Sequence, residues 1–333
     1  LLVGQSTHQQ FWRFAVTRYI LRRLLIIIPV LLGVTIVVFI LINLIPGDPA
    51  AFYVSPDLGS NPEQMAIVRE RLGLNQPLPI RYVKWLAQTM TGDFGYRTKN
   101  GDPVGPVIWV RLQNTMLLAG LALLIGASIG IALGVFTAVR QYSIWDYLLT
   151  ALSFLGIAMP AFIVGIFGLY IFALKIPLFP AGGISTVGKE SSIFDTLYHA
   201  ILPASLLSLN YLASFMRYTR FSLLEVLKQD YVSNARAKGL RESRIINVHA
   251  LRNALLPVVT AIGLSLPNLV VGAVFMETIF SWPGMGTLYL DAVMSRDYPL
   301  IMGMNLISAS VILLTNLLTD ITYAYVDPRI RYS

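Results

Sequence analysis

The sequence predicts an all-α integral membrane protein with six transmembrane helices, and three observations carry that expectation. Of 333 residues, 56% are hydrophobic and only 13% charged, about half the charged share of an average soluble domain. The apolar residues gather in six windows free of Asp, Glu, Lys and Arg: 24–45, 115–139, 147–174, 196–216, 253–276 and 300–319. Basic residues concentrate on alternate connections between those windows. Crossing about 30 Å of hydrocarbon takes around 20 residues at about 1.5 Å each, and lipid offers the backbone no partner, so each window is expected to be a helix.

The first window follows Arg13, Arg18, Arg22 and Arg23. It is longer than the apolar stretch of a secretory signal, and no small-x-small cleavage site follows it, so a retained anchor is expected. The connection 46–111 is long and close to neutral. Within it, Asn61-Pro62-Glu63 has the order of an N-cap, an N1 proline and a first-turn acid. Met65, Val68 and Leu72 fall on one face of that helix, with Gly73 placed to stop it. Tyr82, Trp85, Leu86 and Met90 repeat the helical spacing after Pro77 and Pro79. A small extramembrane helical insert is the expectation, serving either as a cap on the bundle or as a docking surface.

The second window carries Gly126, Gly130 and Gly134, a stripe of small residues that lets two helices approach closely. The third is too long for a straight span and is expected to tilt or to bend at Pro160. Pro203 interrupts the fourth, and Pro257 and Pro267 the fifth. Arg140 lies between the second and third windows. Eight basic residues, from Arg217 to Arg252, separate the fourth from the fifth, and Arg329 and Arg331 follow the sixth. The positive-inside rule makes that side cytoplasmic, both termini included. A net charge of +8 is thereby explained by a lipid bilayer, with no call for nucleic acid.

Two connections stand out. Between the fourth and fifth windows runs Asp230-Tyr-Val-Ser-Asn-Ala-Arg-Ala-Lys-Gly239. Asp230 can cap a short helix there, Arg236 and Lys238 complement its dipole, and Gly239 suits the left-handed position after its end. Small Ala235 and Ala237 allow another protein to come close. Charge alone fits a loop lying on lipid headgroups equally well. After the fifth window, Glu277-Thr-Ile-Phe-Ser-Trp-Pro-Gly-Met-Gly286 reads either as a re-entrant turn lining a path or as a surface turn. Asn210, Ser214, Asn268 and Asn305 bring polar groups into the spans, to line a route or to bond between helices.

Much chemistry is excluded. The chain has no Cys, hence no disulfides, thiolate nucleophile or zinc–thiolate site. His8, His199 and His249 are far apart in sequence. Gly188-Lys189 is followed by Glu190, so no phosphate-binding loop occurs, and H-E-x-x-H and G-x-S-x-G are missing. Catalytic residues, metal ligands and a cofactor held by this chain are not expected. Active transport, if this chain takes part in it, most simply draws its energy from a partner. The alternative is an ion-coupled secondary transporter, against which stand spans with no ionisable group besides His199 and the lack of a clear inverted repeat. A membrane-embedded hydrolase lacks its Ser/His or metal constellation.

The ordered motifs resemble the dipeptide/oligopeptide-type permease subunits of bacterial ABC importers. The resemblance runs through Arg18-Tyr-Ile-Leu-Arg-Arg23, Ile45-Pro-Gly-Asp-Pro49, Arg71-Leu-Gly-Leu-Asn-Gln-Pro77, Asp230 to Leu240, His249 to Thr260, Glu277 to Gly286, Arg296-Asp-Tyr-Pro299 and Asp327-Pro-Arg-Ile-Arg331. It implies a type I ABC importer permease fold and a subunit with no catalysis of its own. The implied partners are a second homologous permease, two ATPases that bind ATP and Mg, an extracytoplasmic binding protein and a peptide substrate, all working by alternating access in the bacterial inner membrane. The segment 225–252 resembles the ATPase-coupling loop, with Asp230, Asn234, Ala235, Arg236, Ala237, Lys238 and Gly239 as coupling residues. Ser233-Asn234-Ala235 stands at the Glu-Ala-Ala positions of the family signature, and Arg252 where many relatives have Pro. Pathway candidates are Asn210, Ser214, Asn268, Glu277, Phe280 and Trp282. The expected division is a cytoplasmic segment 1–23, a first helix 24–45, the insert 46–111, a five-helix core 112–326 and a cytoplasmic tail 327–333.

Overall fold

The computed structural model describes residues 3–44, 62–71, 73–188, 192–271 and 274–326. Every regular element among them is helical, and the one β-feature is an isolated bridge between Tyr96 and Pro103. Motif residues 45–49 and 327–331, the tail 327–333 and the cap Asn61 lie outside the described residues, as do the side chains of Met65, Val68 and Leu72.

Helix α1 (Val3–Leu44) is continuous through Pro29. Its apolar stretch 21–44 exposes Leu25, Ile28, Val37 and Leu41, as a lipid-facing helix does, and it packs on the last helix, α15 (Tyr298–Val326). Arg23 and Asp320 pair across that contact at 3.1 Å. The insert holds α2 (Pro62–Arg71) and α3 (Leu78–Met90). Gly73, at φ +64°, donates its N–H to the Glu70 carbonyl and ends α2 where the sequence placed the stop. On α3, Tyr82 packs edge-on against Phe39 at 5.5 Å and bonds Thr35 at 2.8 Å, and Trp85 lies beside the same ring. Met90 departs from the expected apolar face. It is 81% exposed, and Thr89 turns inward in its place, bonding the Trp85 carbonyl.

The centre of the bundle is the pair α4 (Val104–Val139) and α7 (Ile193–Val226). A Cβ on Gly130 would lie 2.7 Å from the Leu212 carbonyl oxygen, and one on Gly134 would lie 2.7 Å from that of Met216. Gly126 faces Ser208 and Tyr211 in the same way. The expected small-residue stripe is therefore where these two backbones touch. Pro203 sits inside α7 without ending it, which corrects the expectation of an interruption there.

The third window does not cross as one rod. Helix α5 (Ile144–Ala158) and helix α6 (Ala161–Leu169), continued by a π-turn at Tyr170–Lys175, meet at 103° around Met159 and Pro160. Pro160 has no N–H with which to continue the hydrogen bonding of α5, and it pushes Met159 into extended geometry (ψ 126°), so the chain turns a corner there. The fifth window is also broken. After the short helix α8 (Asp230–Ala237), the chain runs through α9 (Glu242–Arg244), a π-turn (Ile245–Ala250) and α10 (Leu251–Ala254). It bends by 46° into α11 (Leu256–Ser265), which carries Pro257 in its first turn, then continues as α12 (Asn268–Val271) after Pro267 and α13 (Val274–Ile279). Among the described residues, four helices are long and apolar enough to span a membrane, and six spans result when each bent pair counts as one. Helix α14 (Met285–Met294) then leads to α15.

Candidate functional site

The cytoplasm-assigned connection folds as a short helix on a firm base. Asp230 is the first residue of α8 and not its cap. Gln229 holds the cap position without a side-chain bond, leaving Asp230 in the first turn, where its charge suits the helix dipole. The other end closes as a complete Schellman motif. Gly239, at φ +74°, donates to the Arg236 carbonyl at 2.9 Å, and Leu240 donates to that of Ala235 at 3.4 Å. Val232, Ala235 and Ile245 form a small buried cluster, with Val226, Leu227 and Leu240 packed on it. Burial in that cluster removes Ala235 from the outward face. Ser233, Asn234, Arg236, Ala237 and Lys238 remain exposed. Arg236 forks onto the Glu242 carboxylate, with Nη2 to Oε1 at 2.7 Å and Nε to Oε2 at 3.2 Å, and that hydrogen bond holds its guanidinium pKa above the ordinary arginine value. Lys238 forms no ion pair among the described residues.

The turn after α13 is packed into the body of the chain. Trp282, Phe280 and Glu277, three of the pathway candidates, are fully buried inside the chain in this conformation. The Trp282 indole N–H donates to the Asn114 carbonyl at 3.0 Å, and the Asn114 amide donates to that of Pro283 at 2.8 Å. Glu277 turns back over the turn. Its Oε2 accepts the backbone N–H groups of Gly286 (2.7 Å) and Thr287 (3.2 Å) at the start of α14, and its Oε1 accepts from the Thr115 hydroxyl at 2.6 Å. Thr115 in turn accepts the Met285 N–H at 2.7 Å. A distant carboxylate thus does the work of an N-cap, tying α14 to α4. Gly284 is required by this approach, because a Cβ there would overlap the Glu277 carboxyl group. On the far side, Gly183 donates to the Phe280 carbonyl at 2.8 Å, closing the segment before α7 over the turn.

Sequence reasoning missed two further clamps. Arg220 on α7 grips Asp146 on α5 in a two-pronged pair, Nε to Oδ1 at 2.7 Å and Nη2 to Oδ2 at 2.9 Å. On the opposite side, Arg97 reaches Asp291 at 2.8 Å and the buried Asp297 at 3.3 Å. Lys99 adds a second bond to Asp291 and, with Arg97, holds its carboxyl below the usual range. The partners are separated by 74 and about 200 positions, beyond the reach of spacing arguments.

Of the remaining pathway candidates, Asn210 and Asn268 are exposed and Ser214 is half-buried. They stay open to a neighbouring chain or a water-filled route. Asn305 bonds the Ile301 carbonyl one turn back within α15, and His199 is buried, with its Nδ1 2.9 Å from the Asp195 carbonyl.

The family model for the binding-protein-dependent transport system inner membrane component matches residues 130–332, and the model for the N-terminal part of such components matches 16–119. The oligopeptide transport system permease protein AppB of Bacillus subtilis (strain 168) is 44% identical over 94% of this chain and 99% of its own length. The dipeptide transport system permease protein DppB of Escherichia coli (strain K12) is 39% identical over 95% and 99% respectively. Among solved structures, an inward-facing conformation of the MetNI methionine ABC transporter superposes with a TM-score of 0.54 at 15% identity. That match covers 66% of this chain and 96% of that one, a likeness of fold.

Proposed function

This chain belongs to the binding-protein-dependent transport system inner membrane component family, and on that premise we propose that it conducts peptides as one permease subunit of an ATP-driven importer. It forms the translocation path with a second homologous permease. Two ATPase subunits bind ATP and Mg on the cytoplasmic side, and an extracytoplasmic binding protein delivers the peptide. The chain crosses the bacterial inner membrane with both termini in the cytoplasm, in keeping with the basic excess on that side. The peptide assignment rests on what the relatives are named for.

The observation that carries the coupling role is α8 itself. A free eight-residue helix is unstable in water. Here the helix is held by an apolar base and a closed C-terminus, and it presents Ser233, Asn234, Ala237 and Lys238 outward. That is a rigid knob suited to receive a push from an ATPase. ATP draws the ATPases together, the knobs move with them, and Asn210, Ser214 and Asn268 change the side from which they are reached. Only a partner that favours one of the two states can drive such a change.

Two measurements test this reading. In vesicles carrying the assembled transporter and its binding protein, uptake of tritiated dialanine or tetraalanine is expected to require ATP and to survive an ionophore. Uptake that ignores ATP and collapses with the ion gradient would install the secondary transporter instead. Gly239→Val forces a β-branched residue to φ +74°, costing about 1–2 kcal/mol, although its Cβ meets no neighbour. Transport is expected to fall several-fold while the ATPase still copurifies; transport equal to wild type would reject the role of this stop.

A further inference from the structure

Building on the coupling role of α8, we propose that Arg236 is a positioning residue: paired with Glu242, it locks α8 to the base of the following bent span, so that a push on the knob reaches that span undiminished. Residues 238–241 alone join α8 to α9, and a joint of that length leaves a helix free to swing unless side chains hold it. Three contacts hold it at three points along its length. At its start, the Tyr231 hydroxyl accepts from the Asn253 amide at 2.9 Å. In the middle, Val232 and Ala235 pack on Ile245. At its end stands the forked pair of Arg236 and Glu242. A rod fixed at three points cannot turn against the segment 242–254, and that segment enters α11 directly through the 46° bend.

The same geometry divides the work between the two cations. Arg236 spends its Nε and Nη2 donors inside the chain, and its planar fork matches the carboxylate. Lys238, exposed and with no ion pair among the described residues, is the cation that meets an acidic group on the ATPase. The pair is partly solvated, at 43% and 54% side-chain exposure, so its share of the clamp is modest.

The chain has no Cys, so a single Asn268→Cys reports pathway opening through its rate of maleimide labelling, whatever the cargo. In the otherwise wild-type assembled transporter, ATP with vanadate changes that rate. Arg236→Glu and Glu242→Arg, each alone, are expected to shrink the change about five-fold, the upper end for an exposed pair, while the ATPase still copurifies. The reciprocal double exchange is expected to restore it to within about two-fold. Glu242→Gln, the gentler variant should a reversal fail to assemble, is expected to weaken the change with Arg236 intact. A double exchange as poor as Arg236→Glu alone, or a Glu242→Gln transporter equal to wild type, would overturn the proposal and return Arg236 to the docking face. A wild-type chain that neither retains an ATPase nor responds to ATP would instead remove the coupling reading, and this inference with it.

Discussion

Glu277→Ala is expected to be among the most damaging single changes in the chain. The carboxylate accepts from the Thr115 hydroxyl and from the N–H groups of Gly286 and Thr287, in a turn where Trp282 and Phe280 exclude water. Removing it leaves three donors without their acceptor, at about 1–3 kcal/mol for each buried group left unpaired, and opens a cavity beneath Gly284. Thermal unfolding of the purified protein in detergent measures the loss. Glu277→Gln keeps one acceptor oxygen and should lose less. Thr115→Val removes the hydroxyl that links the carboxylate to the Met285 N–H, and because both changes break one network, their costs should not add. Stability unchanged in Glu277→Ala would mean that α14 is held by apolar packing alone.

Gly130→Leu is the second large effect. Its Cβ would lie 2.7 Å from the Leu212 carbonyl oxygen and 3.1 Å from the Phe215 Cβ. One of those obstacles is backbone, which a rotamer change cannot move. The α4–α7 pair must separate along its length, and overpacking of this kind costs about 1–3 kcal/mol and sometimes more. Gly120, on the same helix, provides the control: its Cβ would meet nothing within 4 Å, so Gly120→Ala should be neutral or gain up to about 1 kcal/mol of helix propensity. Expression level and unfolding temperature should separate the two variants clearly. Equal behaviour would show that the glycine stripe is not the contact.

The features that were legible in the sequence are those governed by neighbours along the chain. Gly239 and Gly73 end helices because the residue after a helix end takes positive φ, and the pattern before each was readable. Gly126, Gly130 and Gly134 declared a contact face, though not its partner. Pro160 announced a bend, though not that the bend approaches a right angle. What escaped detection depends on side-chain contacts that helical spacing does not set, some across the whole chain and some across a single helix stop. Glu277 sat at the margin of an apolar window and read as a pathway candidate, because its partner Thr115 lies 162 positions earlier. Small Ala235 suited a close approach by another protein, yet it packs on Ile245, and Arg236, placed to complement the helix dipole, also forks onto Glu242 beyond the helix stop. Helical period alone could not separate Met90 from Thr89, since adjacent positions straddle the edge of one face.

The central claim is that α8 is a cytoplasmic knob through which a separate nucleotide-binding subunit moves a passive conduit. Ser233→Cys, exposed on α8 in a chain with no other cysteine, tests it most directly with a membrane-impermeant maleimide. Labelling is predicted in inside-out vesicles stripped of the ATPase, protection once the ATPase is added back, and no labelling in right-side-out vesicles. Labelling from the outer face, or labelling indifferent to the ATPase, would contradict the account.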